Sequence, residues 1–399
     1  MKIPMSFPDL TQLEIEAITS VLPAGRLSIG PQIDTFEKAM ATYVGSKYAI
    51  GVSSGTAGLH LAVIAAGVGE RDLVITTPFS FIASANVILY ERAIPIFIDV
   101  DPKTGNIDPG LLSEAVGDIH SEPKKAGRWL PPALRASRFL GTPFMIKAVL
   151  PVHAYGQPAD LDSILATAGH FNINVIEDAC EAIGSLYKNR KVGALGKCGV
   201  FAFYPNKQIT TGEGGMIVTD DEEWDSLFRS LRNQGRDVFD AWLNHSRLGY
   251  NYRLDEMSAA LGVAQMSRIE ELLTKRERVA SLYNARLRDV EGVEIPCLAT
   301  STMRMSWFVY VVRLNSKINR SQVLNELEAR EIPSRPYFSP IHLQPYYIEK
   351  FGYKRGNFPV TEYLGDVSLA LPFSGIMTEE QVDYVCTNLI AILQKSIIP

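Results

Sequence analysis

The chain has 399 residues, 46% hydrophobic and 21% charged, and its 39 Lys and Arg against 44 Asp and Glu leave a formal net charge of −5. That composition is globular and long enough for two domains, which excludes disorder, collagen and coiled coil. With no basic excess to neutralise a phosphate backbone, nucleic acid is not an expected partner.

In chain order, short apolar runs alternate with helical stretches from about residue 47 to residue 220, the pattern of a parallel sheet covered on both faces by helices. The expected strands are Tyr48 to Val52, Leu73 to Thr77, Ile94 to Val100, Val149 to His153, Val175 to Asp178, Val200 to Tyr204 and Gly215 to Thr219. Their ends are where a ligand is expected. Residues of about 119 to 147, rich in Pro, Lys and Arg and without a clean period, read as a surface insertion between two strands. After Asn251 come a long helical stretch through Arg288, a strand at Trp307 to Leu314, a helix at Arg320 to Arg330 and a closing helix from Glu379 to Gln394. The expectation is an α/β large domain over residues 1–250 and a smaller C-terminal α/β domain over residues 251–399.

Cys180, Cys198, Cys297 and Cys386 show no CxxC spacing and read as reduced, cytosolic thiols. The N-terminus meets Pro and acidic residues before any apolar run, and no stretch approaches about 18 uninterrupted apolar residues, so neither a signal peptide nor a membrane span is expected. His60, His120, His170 and His245 lack metal-ligand spacing, and no metal site is expected.

Three motifs carry chemistry. Ser53-Ser54-Gly55-Thr56-Ala57-Gly58 follows a strand and opens an apolar helix, so backbone amides and hydroxyls at a helix N-terminus are placed to surround an anion such as phosphate; a tight packing turn with an N-cap is the alternative. Val175-Ile176-Glu177-Asp178 is an apolar strand ending in two acids, and a carboxylate facing inward there needs a cationic partner, which a protonated pyridine nitrogen would supply; a helix-capping Asp is the alternative. Phe201-Ala202-Phe203-Tyr204-Pro205-Asn206-Lys207 places a lysine just beyond a buried strand, a partly desolvated setting suited to a nucleophilic amine, where a lone surface lysine is the ordinary reading. Together an anion cradle, a pyridinium partner and an imine former are the parts a pyridoxal 5′-phosphate (PLP) site requires.

Through SSGTAGLHLA, PFSFIASAN, VIEDACEAIG, FAFYPNKQITTGEGGMI and GYNYRLDEMSAALG the chain resembles the DegT-like (DegT/DnrJ/StrS type) nucleotide-sugar aminotransferases, over nearly its whole length from about Phe7. The resemblance implies PLP-dependent fold type I, a three-layer α/β/α large domain with a mainly parallel sheet and a small C-terminal domain. By it, Lys207 carries the cofactor covalently and moves the proton, Asp178 holds the pyridine nitrogen protonated, Phe81 stacks on the cofactor face, and Gly55, Thr56 and Ala57 cradle its phosphate. Asn251 matches an asparagine given to the phosphate of a neighbouring subunit, which implies a homodimer with shared active sites. Two departures stand out: Ala202 occupies a place where a phosphate-binding serine is frequent, and Glu181 stands where Gln or His faces the cofactor's O3′. A carboxylate beside a phenolate oxygen repels it unless a proton is shared, so the Glu181 pKa is expected to be raised. His153 either approaches the cofactor or closes a structural hydrogen bond. His342, Arg335, Tyr337 and the Gly25 to Gly30 loop are the candidates for substrate contact.

The implied reaction transfers an amino group from L-glutamate to a keto group of a nucleotide-linked sugar, in polysaccharide or amino-sugar biosynthesis, in the cytoplasm. A PLP-dependent sugar dehydratase of the same family is the first alternative, though that branch replaces the lysine with histidine. A PLP-binding regulatory protein of the same fold is the second. A dinucleotide-binding fold is disfavoured because GEGG follows the lysine and does not open a βαβ unit.

Overall fold

The computed structural model describes residues 3–121, 123–135, 145–237 and 244–397. Seven strands form the central sheet: β1 (Tyr48–Val52), β2 (Leu73–Thr76), β3 (Ile94–Phe97), β4 (Ile146–Val149), β5 (Asn174–Asp178), β6 (Cys198–Ala202) and β7 (Gly215–Thr219). Their spatial order is β1-β7-β6-β5-β4-β2-β3. The strands from β6 to β3 run parallel, whereas β7 is antiparallel to both its neighbours, β1 and β6. The sheet is therefore mainly, not wholly, parallel. Buried residues such as Leu73, Ile75, Ile176 and Val200 explain the apolar strand sequences, since helices cover both faces.

In chain order the longer helices of this unit are α1 (Gln12–Ala24), α2 (Pro31–Val44), α3 (Gly55–Ala65), α4 (Ala83–Tyr90), α5 (Pro109–Ser121), α6 (Leu161–His170), α7 (Glu222–Arg232), α8 (Glu256–Ser267) and α9 (Ile269–Leu287). Helices α3, α4 and α7 share a core with one face of the sheet. The other face carries α2, α8 and the start of α9 at one end, and α5 with α6 at the other. The stretch expected as one long helix after Asn251 is thus two helices, broken at Arg268, whose guanidinium is drawn to Asp9, Glu14 and Glu271.

A four-stranded antiparallel sheet, β8 (Val293–Glu294), β9 (Tyr310–Leu314), β10 (Arg335–Pro336) and β11 (Ser368–Leu371), packs with α10 (Arg320–Glu328) and α11 (Glu379–Ile397) into a second core. Helix α9 belongs to both: Leu272 and Leu273 lie in the core under the large sheet, Val279 and Tyr283 in the second.

Of the expected insertion at about 119–147, residues 122 and 136–144 lie outside the described residues. In the rest, Ala126 and Leu130 are buried beside α5, and Trp129 Nε1 donates to Asp118 Oδ2 at 2.8 Å, so this part packs on the domain.

Candidate active site

The turn after β1 is held by Ser54, whose extended backbone lets its Oγ accept the Ala57 N–H at 3.0 Å and cap α3. Gly55 is required by a close approach: a Cβ there would lie 2.7 Å from Ala202 Cβ and 2.8 Å from Cys180 Sγ. Gly55 and Thr56 line a cavity of about 450 Å³ and present the positive end of α3 to it. Ala57 is not among the residues lining the cavity, and its amide donates to Ser54 Oγ.

Asp178 closes β5 at the floor of the same cavity. Its Oδ2 accepts from Ser84 Oγ at 2.7 Å and its Oδ1 from the Cys180 amide at 3.2 Å, so two donors from different segments fix the carboxylate. Successive strand residues point to opposite faces, and Glu177 accordingly turns away, accepting amides of Gly193, Leu195 and Gly196. Burial raises the Glu177 pKa, but His153 and those amides outweigh it and hold the carboxyl below its usual range. His153 Nε2 lies 3.1 Å from Glu177 Oε2 while its Nδ1 accepts from Ala159 N at 3.0 Å, so His153 serves this structural network and not the cavity.

Lys207 extends from the loop after β6, and its side chain is 13% exposed. Nζ lies 3.8 Å from Glu181 Oε1 and 3.8 Å from the centroid of the Phe308 ring. Glu181 Oε2 accepts the amide of Tyr155 at 2.8 Å, which Tyr155 delivers from a left-handed backbone at φ 61. Burial pushes the Glu181 pKa up, against the opposing pull of the Lys207 ammonium. Phe81, 63% exposed, lines the mouth with Tyr204 and Tyr337. Ala202 lines the cavity beside Gly55 without a hydroxyl to offer.

This donor set fits PLP at its three polar ends. The Gly55 and Thr56 amides suit a phosphate, the buried Asp178 carboxylate suits a pyridine N–H, and the enclosed Lys207 amine suits the aldehyde.

Several expected contacts lie elsewhere. His342 is fully buried with Nε2 2.9 Å from Glu362 Oε1, and burial lowers its pKa. It does not line the cavity, nor does Arg335, an exposed residue of β10 whose Nη1 donates to Ser334 O. Tyr337 alone of the three substrate candidates reaches it. Asn251 is exposed, bridges to Asn233 and is absent from the cavity of its own chain. Arg26, Ile29 and Gly30 of the Gly25 to Gly30 loop line a different cavity, of about 530 Å³, with Arg229, Arg232 and Arg253. Conversely, Ser84, Tyr155 and Phe308 join the site without having been expected there. A hydroxyl in the first turn of α4, three residues beyond Phe81, was the one readable signal, for Ser84; Tyr155 and Phe308 had none.

Known proteins resemble the chain over nearly its whole length. The DegT/DnrJ/EryC1/StrS aminotransferase family matches residues 8–390. The chain is 38% identical over 369 residues to a GDP-perosamine synthase of Caulobacter vibrioides, covering 92% of this chain and 91% of that protein. It is 36% identical over 397 residues to the spore coat polysaccharide biosynthesis protein SpsC of Bacillus subtilis, covering 96% and 95%. Among solved structures, a DegT DnrJ EryC1 StrS aminotransferase from Brucella abortus superposes with a TM-score of 0.84 at 30% identity over 95% of each chain. The chain belongs to the DegT/DnrJ/EryC1/StrS family of PLP-dependent sugar aminotransferases.

Proposed function

We propose that this enzyme moves the amino group of L-glutamate onto a keto group of a nucleotide-linked deoxysugar, for polysaccharide or amino-sugar biosynthesis, as a cytoplasmic homodimer. The observation that carries the reading is the meeting, on one cavity, of Lys207, Asp178 and the α3 N-terminus. The names of two relatives, a GDP-perosamine synthase and a spore coat polysaccharide biosynthesis protein, support an activated sugar as acceptor. Asn251, exposed and outside its own cavity, is available to a second copy, and the free thiols Cys180, Cys198, Cys297 and Cys386 are compatible with a reducing compartment.

When bound, PLP supplies the electron sink for the carbon that gains or loses the amino group. Gly55 and Thr56 hold the phosphate through their amides. Asp178, aimed by Ser84 and the Cys180 amide, presents a fixed negative charge to the ring nitrogen. Phe81 offers a flat apolar face, and with Tyr204, Phe308 and Tyr337 it excludes water. Lys207 Nζ is the amine within reach that would hold the cofactor's aldehyde end and, as a free base, would take and return the proton on the carbon next to it. Burial favours the protonated form of Glu181, the form that would donate to a neighbouring oxygen in place of repelling it.

The test supplies purified enzyme with PLP, L-glutamate and, in turn, keto sugars linked to GDP, UDP or dTDP, with mass spectrometry of both products. One sugar aminated in step with 2-oxoglutarate release is expected. Glutamate consumption with no sugar aminated overturns the acceptor assignment, and no glutamate consumption overturns the donor.

A further inference from the structure

Helix α9 carries Arg276 into the seam between the two cores, where it is 4% exposed. Its Nη2 donates to the carbonyl of Lys207 at 2.7 Å and of Asn206 at 3.3 Å. Its Nη1 donates to the carbonyls of Trp307 at 3.3 Å and Phe308 at 3.2 Å. One guanidinium thus bridges two chain segments that lie about a hundred residues apart in sequence and that also meet where Gln208 Nε2 donates to Ser306 O and Oγ and where the Lys207 amine lies over the Phe308 ring.

Among the described residues no carboxylate forms an ion pair with Arg276. Asp9, the acid that acts on it from a distance, is itself paired with Arg268 and Lys275. A buried cation served by neutral carbonyls and, at 5.6 Å, the face of the Phe373 ring is a costly arrangement, and burial lowers the Arg276 pKa to about 10, which leaves it charged at neutral pH. An apolar side chain would fill the seam at less cost, but it could not join two backbones. The planar fork of arginine reaches two carbonyls with each terminal nitrogen, which the single ammonium of lysine does not reproduce.

We propose that Arg276 is a positioning residue for Lys207: by tying the Lys207 and Phe308 backbones together it seats the amine on the Phe308 ring, 3.8 Å from Glu181. The reach of the amine into the cavity is then set by a helix that also belongs to the C-terminal core, through Val279 and Tyr283. The inference rests on the reading of Lys207 as the cofactor-bearing amine. Displacing a reacting group by about an ångström from a site remote to the chemistry costs up to about a hundredfold in rate.

The test compares wild type, Arg276→Lys and Arg276→Met, each checked for folding by circular dichroism and melting. In the cofactor-free full chain, a lysine-directed reagent is used with peptide mass spectrometry, and labelling of Lys207 is expressed relative to exposed Lys354 as internal reference. In the PLP-loaded protein, the rate of borohydride-fixed PLP on Lys207 and the kcat and KM for L-glutamate are measured. The inference predicts that both folded variants raise the Lys207-to-Lys354 labelling ratio several-fold, slow fixation, and lower kcat by roughly tenfold to a hundredfold with KM within about twofold. Folded variants with wild-type labelling, fixation and kcat overturn it, as does a loss of kcat that only tracks the folded fraction. If Arg276→Met does not fold, Arg276→Lys decides. Wild-type protein that fixes no PLP on Lys207 contradicts the functional reading instead, and the labelling ratio of the cofactor-free chain still decides the role of Arg276.

Discussion

Ser84 Oγ donates to Asp178 Oδ2 at 2.7 Å, so the carboxylate at the end of β5 is aimed from α4, a helix of a different strand-helix unit. Ser84 also meets Ser80 Oγ at 3.0 Å, which orders the hydroxyl. A hydrogen bond to a charged acceptor contributes about 1.5–3 kcal/mol. Ser84→Ala is therefore expected to weaken PLP affinity by about tenfold or more, read by absorbance titration, and to lower the melting temperature of the cofactor-free protein as well, since the bond is present without cofactor. Wild-type affinity would show that the Cys180 amide alone suffices.

Gly55 stands where a methyl group has no room, between Ala202 Cβ and Cys180 Sγ. Overpacking of this kind costs about 1–3 kcal/mol, and relief requires α3 to back away from the cavity. Gly55→Ala is expected to lower thermal stability and PLP affinity together, in melting curves with and without cofactor.

Burial of Glu181 gives a pH signature. Its folded pKa is raised above the usual 4.5, so the folded chain binds more protons than the unfolded chain between 4.5 and the raised value. Stability from this group is therefore lost as pH rises through that window. Glu181→Gln removes the titration, and the difference in melting temperature between mutant and wild type is expected to grow, in favour of the mutant, from pH 4.5 upward. A constant difference across pH would contradict the burial argument.

His342 has the opposite sign. Burial depresses its folded pKa below 6.5, so its contribution is lost as pH falls from 6.5 toward the folded value. Among the described residues its Nδ1 has no hydrogen-bond partner, and Glu362 keeps the amides of Gly356 and Phe358. His342→Phe is expected to flatten the loss of stability below pH 6.5 and to leave the KM for L-glutamate unchanged. A raised KM would return His342 to the substrate site from which its burial removes it.

Local pattern revealed what lies near itself in sequence. The cradle, the strand-end Asp178 and the post-strand Lys207 each sit within a dozen residues of the strand that presents them, and periodicity together with turn chemistry located those strands. The strand expected at Val149 to His153 is paired at Ile146–Val149, because the apolar run continues past the ladder and only an isolated bridge joins Val152 to Asp178. The helix break at Arg268 depends on acids contributed by the N-terminal segment, Asp9 and Glu14, which nothing in the local sequence announces. Phe308 and Arg276 were out of reach for the same reason: an aromatic inside the strand expected at Trp307 to Leu314, which the structure starts only at Tyr310, and an arginine on a helix face read as packing and as solvated charge until the fold brings both to Lys207. His342 misled because a histidine in a loop says nothing of the glutamate twenty positions later that claims it.

The most direct test of the central claim is peptide mass spectrometry of the protein reduced with borohydride after incubation with PLP, alongside its visible spectrum before and after L-glutamate. The account predicts one phosphopyridoxyl group, on Lys207, a visible band that L-glutamate bleaches, and neither in Lys207→Ala. Modification of another lysine, or a wild-type spectrum that PLP leaves unchanged, would contradict it.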